Sequence, residues 1–424
     1  MALNGNCKTL LGLYNLLWPL ALPALWLAPR LREGFGQRIL RGFPEGFMDI
    51  WIQAASGGEA YLARELVLNM PTGRALRILV TTNTRQGYEI LERTAAELAE
   101  LRPELSLVPA YCPFDQPSLM SRAMERTSPK VLVILETELW PGLLAAAREF
   151  DVPVLVANAR MNPSSLAGYL CAGSLLRQLA PQRVLAISSE AALRFSILFG
   201  AERVERMHNI KFDRFPALPP TAPEGSPLRP ILGDGPPWAV FASVRREEEP
   251  EVLQALKMIH EARPRTSLAL FPRHMHRLDF WREALYEAGL SPVMRSGLTG
   301  PPPPGSTVVW DTFGELTGAY EFCKAAFVGG SLRPLGGQNF LEPLSHGIVP
   351  LSGPHWSNFS WIGREIVEQG LLREVQTPAE LAEAMIKNLR RPPLREAVRA
   401  KVDAYVDSRR GGTKQVIKHI ESYL

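Results

Sequence analysis

The first residues in this sequence whose types and spacing could do chemistry are carboxylates at the ends of apolar runs. Ala55-Ser56-Gly57-Gly58-Glu59 follows the run 49–54 and opens a helical pattern, so Glu59 falls in a first helical turn. A carboxylate there either caps the helix or serves as a base, and capping is the commoner use of an acidic first turn. Glu136-Thr137-Glu138-Leu139-Trp140-Pro141 leaves the apolar run 131–135. Two carboxylates at the exit of a buried strand are costly unless paired or used; a strand-end cap beside a solvated Glu is the plainer alternative. Asn209-Ile210-Lys211-Phe212-Asp213 offers a cation that either meets a phosphate or pairs with Asp213.

A second set lies in the C-terminal half. Ser243 and Arg245 precede the acidic run 247–249, and Phe271-Pro272-Arg273-His274 places a guanidinium at another strand exit. The planar fork of Arg273 suits phosphate, whereas His274 reads more readily as a structural hydrogen-bonding group. Next come Gly329-Gly330-Ser331 and then Gly336-Gly337-Gln338-Asn339-Phe340-Leu341-Glu342. Paired glycines ahead of a helix predict a backbone nest for phosphate. Asn339 and Glu342, three apart, share a helix face, and a glutamate there can accept both hydroxyls of a ribose. The sequence holds no Asp-x-Asp metal motif. Its four cysteines (Cys7, Cys112, Cys171, Cys323) have neither zinc spacing nor a disulfide framework, which implies a reducing compartment. Cys112, Cys171 and Cys323 sit in apolar surroundings and are expected to be buried.

These residues need rigid elements to hold them. A chain of 424 residues, 46% hydrophobic and 21% charged, suits two globular domains. Apolar runs at 49–54, 77–82, 105–110, 130–136, 152–157 and 183–188 alternate with helical patterns such as 59–69 and 87–101. The pattern breaks in a proline- and glycine-dense stretch at 217–237, then restarts with runs at 238–243, 266–271, 307–310, 325–329 and 348–351. Apolar strands joined by helices predict two doubly wound parallel α/β domains, with ligands in a cleft at the strands' carboxyl ends. The expected divisions are an anchor and basic segment (1–46), an N-terminal Rossmann-like domain (47–212), a linker (213–237), a C-terminal Rossmann-like domain (238–405) and a tail helix (406–424).

Residues 9–29 carry no charge, about the length that spans a bilayer core. Only Lys8 precedes them, and the run exceeds the apolar part of a signal peptide. Arg30, Arg32, Arg38 and Arg41 follow, placing the body on the cytoplasmic side. Pro19 and Pro23 leave open whether the segment spans or lies in the interface. The net charge of +4 is too weak to argue for nucleic acid; it fits an acidic lipid or phosphorylated substrate as well as mere solubility.

Taken in order, these motifs resemble the 3-deoxy-D-manno-octulosonic acid (Kdo) transferases of lipopolysaccharide synthesis over nearly the whole chain. The resemblance rests on the N-terminal segment, Ser56-Gly57-Gly58-Glu59, Thr81-Thr82-Asn83-Thr84, Tyr111-Cys112-Pro113-Phe114-Asp115 and the hexapeptide from Glu136. It continues through Asn158-Ala159-Arg160, Lys211-Phe212-Asp213, Pro272-Arg273-His274, Asp311-Thr312 with Gly314-Glu315-Leu316, and the glycine-rich run to Glu342. It implies a GT-B fold and inverting transfer from CMP-Kdo, without metal or cofactor, to a phosphorylated lipid A precursor at the cytoplasmic face of a bacterial inner membrane. By position it implies Glu59 as base and Glu136 as a second essential carboxylate. Arg273, His274, Gly336, Gly337, Gln338, Asn339, Glu342, Lys211 and Ser243 would bind the donor. Ser56, Gly58, Glu138 and Arg160 would support the acceptor or the site. Gly57, His208, Arg245 and Gln338 depart from the family's usual residues, which leaves room for another nucleotide sugar or a degenerate paralogue. A nucleotide-sugar epimerase of similar two-lobed build is the other alternative.

Overall fold

In the computed structural model, which describes residues 3–215, 226–233 and 237–424, the chain divides into two units. The first comprises residues up to Arg214 together with Arg409–Leu424. Its strands are β1 (Ile50–Gln53), β2 (Leu76–Thr82), β3 (Leu105–Tyr111), β4 (Val131–Leu135), β5 (Val154–Ala159), β6 (Arg183–Ala186) and β7 (Val204–Arg206). They form one parallel sheet in the order β3-β2-β1-β4-β5-β6-β7, so the chain reverses direction across the sheet between β1 and β4. Alternation along β1 sends Ile50 and Ile52 to one core and Trp51 to the other, all fully buried. Helices Gly57–Leu68 and Arg85–Leu101 cover the first face; Pro117–Thr127 and Pro141–Glu149 cover the second. Thr84 caps its helix by accepting the Gly87 N–H, and Pro103 lies just beyond the helix end.

The helix Gly412–Glu421 also belongs to this first unit, where Val416, Ile417 and Ile420 join the core with Ala60 and Ala63. Asp213 fixes it by accepting the N–H groups of Gly411 (2.6 Å) and Thr413 (2.7 Å).

The uncharged N-terminal run forms the helix Gly5–Leu27, with Pro19 and Pro23 inside it. No helix among the described residues is long and apolar enough to cross a membrane. One edge of the helix packs on the first unit: Cys7 and Leu11 are buried, Tyr14 donates to Asp115 (3.1 Å), and Asn15 accepts the Ser118 N–H (3.0 Å). Its opposite side exposes Leu13, Leu16, Leu17 and Leu20. Arg38, expected in a basic flank, is instead buried. It donates to the carbonyls of Asn83 (2.8 Å), Cys112 (3.3 Å) and Glu33 (3.1 Å), and so pins the segment after the helix to the ends of β2 and β3.

The second unit, Phe215–Ser408, holds β8 (Trp238–Val244), β9 (Ser267–Pro272), β10 (Ser291–Met294), β11 (Ser306–Val309), β12 (Cys323–Val328), β13 (Leu351–Ser352) and β14 (Arg373–Glu374). These are also parallel, in the order β10-β11-β9-β8-β12-β13-β14, with the reversal between β8 and β12. Of the linker expected at 213–237, residues 216–225 and 234–236 lie outside the described residues, while Arg229–Leu232 form a helical turn.

Candidate active site

Glu59 and Glu136 leave the two strands that flank the reversal in the first sheet, β1 and β4. Ligands of doubly wound sheets bind at this point, because the flanking loops splay to opposite sides. Glu59 occupies the first turn of Gly57–Leu68 and is 6% exposed. Its Oε1 accepts from the Ser56 hydroxyl (2.9 Å) and its Oε2 from the Ala55 N–H (2.8 Å), while Ser56 caps the Glu59 N–H (3.3 Å). Ser56 is thus the helix cap, and Glu59 braces it from the first turn. Burial, followed by the charge of Glu136, nevertheless pushes its pKa up to about 7 against the local hydrogen bonds that lower it.

Glu136 takes a left-handed backbone (φ 60°), which a non-glycine residue rarely adopts. Its buried carboxylate is clamped by Arg160 Nε (2.6 Å) and Lys211 Nζ (3.0 Å). Two cations compensate the burial of one carboxylate, so the charge is affordable there. Lys211 rides on the turn Ile210–Asp213, whose first N–H is accepted by Asn158, itself left-handed (φ 53°) at the end of β5. Glu138, half-buried, accepts from Trp140 Nε1 (2.6 Å), and burial raises its pKa. A Cβ added at Gly58 would meet only Ser56 Oγ, at 3.7 Å, so the backbone beside Glu59 is open to approach.

In the second unit the reversal lies between β8 and β12, and Glu248 fills it. This fully buried carboxylate accepts four N–H groups: Arg245 (3.0 Å), Gly330, Ser331 (3.1 Å) and Leu332 (3.2 Å). The nest predicted at the first glycine pair exists, but the protein's own glutamate occupies it. A Cβ at Gly329 would stand 2.5 Å from Glu248 Oε1, so only glycine fits there. The second pair is braced against the first: Gly337 N–H donates to the Gly330 carbonyl (2.7 Å) and Gln338 N–H to that of Gly329 (3.0 Å). Gly336 and Gly337 both have positive φ, turning the chain so that Asn339 and Glu342 follow. Asn339 Nδ2 donates to Glu342 Oε1 (2.8 Å), and burial raises the Glu342 pKa. Ser243 (φ 54°) is the last residue but one of β8, while Arg273 and His274 are exposed at the end of β9 with His274 stacked on His276.

The structure therefore gathers Ser56, Gly58, Glu59, Glu136, Glu138, Arg160 and Lys211 in the first unit. Ser243, Arg273, His274, Gly336, Gly337, Gln338, Asn339 and Glu342 lie in the second. Lys211 was expected at a phosphate or on Asp213; its ammonium is held by Glu136, and Asp213 caps the C-terminal helix instead. The sequence reading named the acidic run with Glu248 and the motif with Asp115 but gave neither residue a role. The signal for Glu248 was the acidic run directly after an apolar strand. Asp115 is buried with its pKa near 7, raised by desolvation, and it accepts the N–H groups of Gly142 and Leu143 (both 2.8 Å) at the start of the helix that follows the Glu136 loop. Cys171, expected to be buried, is exposed at the end of the helix Pro163–Cys171.

Comparison with known proteins accords with this geometry. The family described as Glycos_transf_N, 3-deoxy-D-manno-octulosonic-acid transferase (kdotransferase), matches residues 29–214. The 3-deoxy-D-manno-octulosonic acid transferase of Bordetella pertussis is 32% identical over 97% of both chains. Its namesake from Haemophilus influenzae is 30% identical over 85% of this chain and 84% of that one. Two solved structures share the fold. One is the UDP-GlcNAc 2-epimerase from Neisseria meningitidis (TM-score 0.58, 13% identity, covering 88% of this chain and all of that one). The other is Anabaena Alr3699/HepE in complex with UDP and glucose (TM-score 0.54, 15% identity, covering 89% and 100%). With that identity along nearly its whole length and two parallel Rossmann-like sheets of GT-B type, the protein belongs to the 3-deoxy-D-manno-octulosonic acid transferases, a family of glycosyltransferases.

Proposed function

We propose that this enzyme inverts the anomeric centre of Kdo as it moves the sugar from CMP-Kdo to a hydroxyl of a phosphorylated, acylated lipid A precursor, with Glu59 as the base. The observation that carries this reading is a nearly buried carboxyl with a pKa near 7 at the reversal point of the sheet. A base works best when its pKa lies near the working pH. After accepting from Ser56 and Ala55, each Glu59 oxygen keeps a second lone pair that an acceptor hydroxyl can use. In the step, the acceptor oxygen bonds to the anomeric carbon as that carbon's bond to the CMP phosphate oxygen breaks. The hydroxyl proton passes to Glu59, and the bonding electron pair leaves with CMP. Arg273 and His274 take the phosphate charge, Glu342 the ribose hydroxyls, and Ser243, Gln338 and Asn339 the rest of the nucleotide. Arg160, whose side chain is 56% exposed beyond its contact with Glu136, remains open to the acceptor.

We further assign the helix Gly5–Leu27 to the cytoplasmic face of a bacterial inner membrane, lying in the interface. Leu16 and Leu20 are 69% and 78% exposed, while the opposite edge is tied to the body. The activity and the base role are tested with purified protein in phospholipid vesicles, CMP-Kdo and a tetra-acylated, bis-phosphorylated precursor, with products read by mass spectrometry. Wild type yields a Kdo-bearing lipid, and Glu59→Ala yields none yet binds CMP unchanged. Absence of product from wild type sinks the activity; full turnover by Glu59→Ala removes Glu59 from the base role.

A further inference from the structure

The helix Pro163–Cys171 has the sequence Pro-Ser-Ser-Leu-Ala-Gly-Tyr-Leu-Cys, contains no charge and buries none of its residues. A helix on a soluble surface ordinarily turns a polar face to water and an apolar one inward. This one turns Ala167, Leu170 and Cys171 outward, with Leu166 half-covered. The helix Ser189–Phe199 packs beside it, with Arg194 donating to the Met161 carbonyl (2.8 Å), and adds Leu193 and Ile197, 64% and 49% exposed and four residues apart on one face.

This apolar surface is wired to the reacting groups. The Tyr169 hydroxyl donates to the carbonyl of Thr137 (2.6 Å), the residue after Glu136. The Thr137 hydroxyl bonds the carbonyl of Arg160, whose guanidinium clamps Glu136. In the other direction the chain runs straight into the helix Gly173–Gln178. There the Gln178 side chain accepts the Asn4 N–H (2.9 Å) and donates to Cys7 Sγ (2.9 Å), at the start of the leucine-bearing N-terminal helix. The helix is thus hydrogen-bonded on one side to the loop that holds Glu136 and joined on the other, through Gly173–Gln178, to the start of the N-terminal helix.

We propose that Pro163–Cys171, with Leu193 and Ile197, is the surface on which the acyl chains of the acceptor lipid lie while its sugar hydroxyl reaches Glu59. This rests on the lipid-acceptor reading above and names where the lipid part binds. The chains gain a dry contact and the phosphorylated sugar meets Arg160, a division that matches an amphiphile with one charged end.

The test uses the full-length variants Leu170→Glu and Leu193→Glu/Ile197→Glu in vesicles. Transfer is measured on the tetra-acylated precursor and on its deacylated, still phosphorylated counterpart. The expected result is a KM for the acylated acceptor raised about tenfold, with kcat, turnover of the deacylated acceptor, vesicle sedimentation and Tm unchanged. These residues are exposed, so folding is retained; Leu170→Asn serves as a milder second variant. An unchanged KM in variants beside an active wild type overturns this inference alone, and an inactive wild type overturns the reading beneath it. Equal losses on both acceptors, or a KM change that tracks lost sedimentation, also overturn it. They would mark the surface as part of the carboxylate site or as general membrane contact.

Discussion

In the mechanism proposed above, Glu59 combines two duties that a sequence presents as alternatives, bracing the capped helix start and taking the acceptor's proton. The Ser56-x-x-Glu59 spacing reads as a cap, and the structure makes it one, yet the same burial that completes the cap lifts the pKa to about 7. The rate profile follows from this. We expect kcat/KM to rise with pH as Glu59 loses its proton, with an ascending limb near pH 7. In Glu136→Gln the second cause of the shift is gone, so the limb of the residual activity moves to lower pH, though burial keeps it above the ordinary carboxylate range. A limb that stays in place would show that another group titrates. Stability has the opposite sign. A carboxyl with a raised folded pKa contributes stability that is fully present below its unfolded pKa, near 4.5 for Glu59, and lost as pH rises through about 7. Urea unfolding of Glu59→Gln should therefore fall less between pH 5 and 8 than that of wild type. Residue types and strand-end positions were legible in the chain. Partners distant in sequence were not: nothing local to Lys211 or Glu136 announces a 3.0 Å contact across 75 residues.

At the scale of elements, the central strands and the long edge strand β3 were readable, and the short edge strands were not. β1, β4, β5, β8 and β9 are covered on both faces and appear as mainly apolar runs. The strands missed, β7, β10 and β14, each lie at or next to a sheet edge, are four residues or fewer, and carry Glu205 and Arg206, Pro292, or Arg373 and Glu374. Edge strands are blunted by just such residues, which erases the pattern that would reveal them. The glycine pairs were legible as a nest but not its occupant, since a buried glutamate and a phosphate satisfy N–H groups alike. Glu248→Gln removes the charge from that nest and should cost about 2–3 kcal/mol in urea unfolding of the second unit. Weaker CMP binding should accompany it, because the Gly336–Gly337 turn is braced on the same loop.

For the whole molecule, the uncharged N-terminal run predicted membrane attachment but not its manner. Sequence counts apolar residues; only packing reveals that Cys7 and Leu11 face the protein while Leu13, Leu16 and Leu20 do not. Replacing those three leucines with glutamate should abolish sedimentation with vesicles and leave Tm within a few degrees, whereas deleting residues 1–28 should lower Tm by uncovering the core beneath Leu11. At the other end, Asp213→Ala should cost about 1 kcal/mol through the lost cap on Gly411 and Thr413. That small latch bears on how the protein is made. The first unit is interrupted by the second and resumes only at Arg409, so a ribosome has already translated the entire second unit before Val416, Ile417 and Ile420 can enter the first core. Messages broken late, or stalled within the last turns, would release chains with a folded second unit and an unsealed first, open to chaperones and proteases. Completion of the first unit's fold thereby becomes a checkpoint on full-length synthesis.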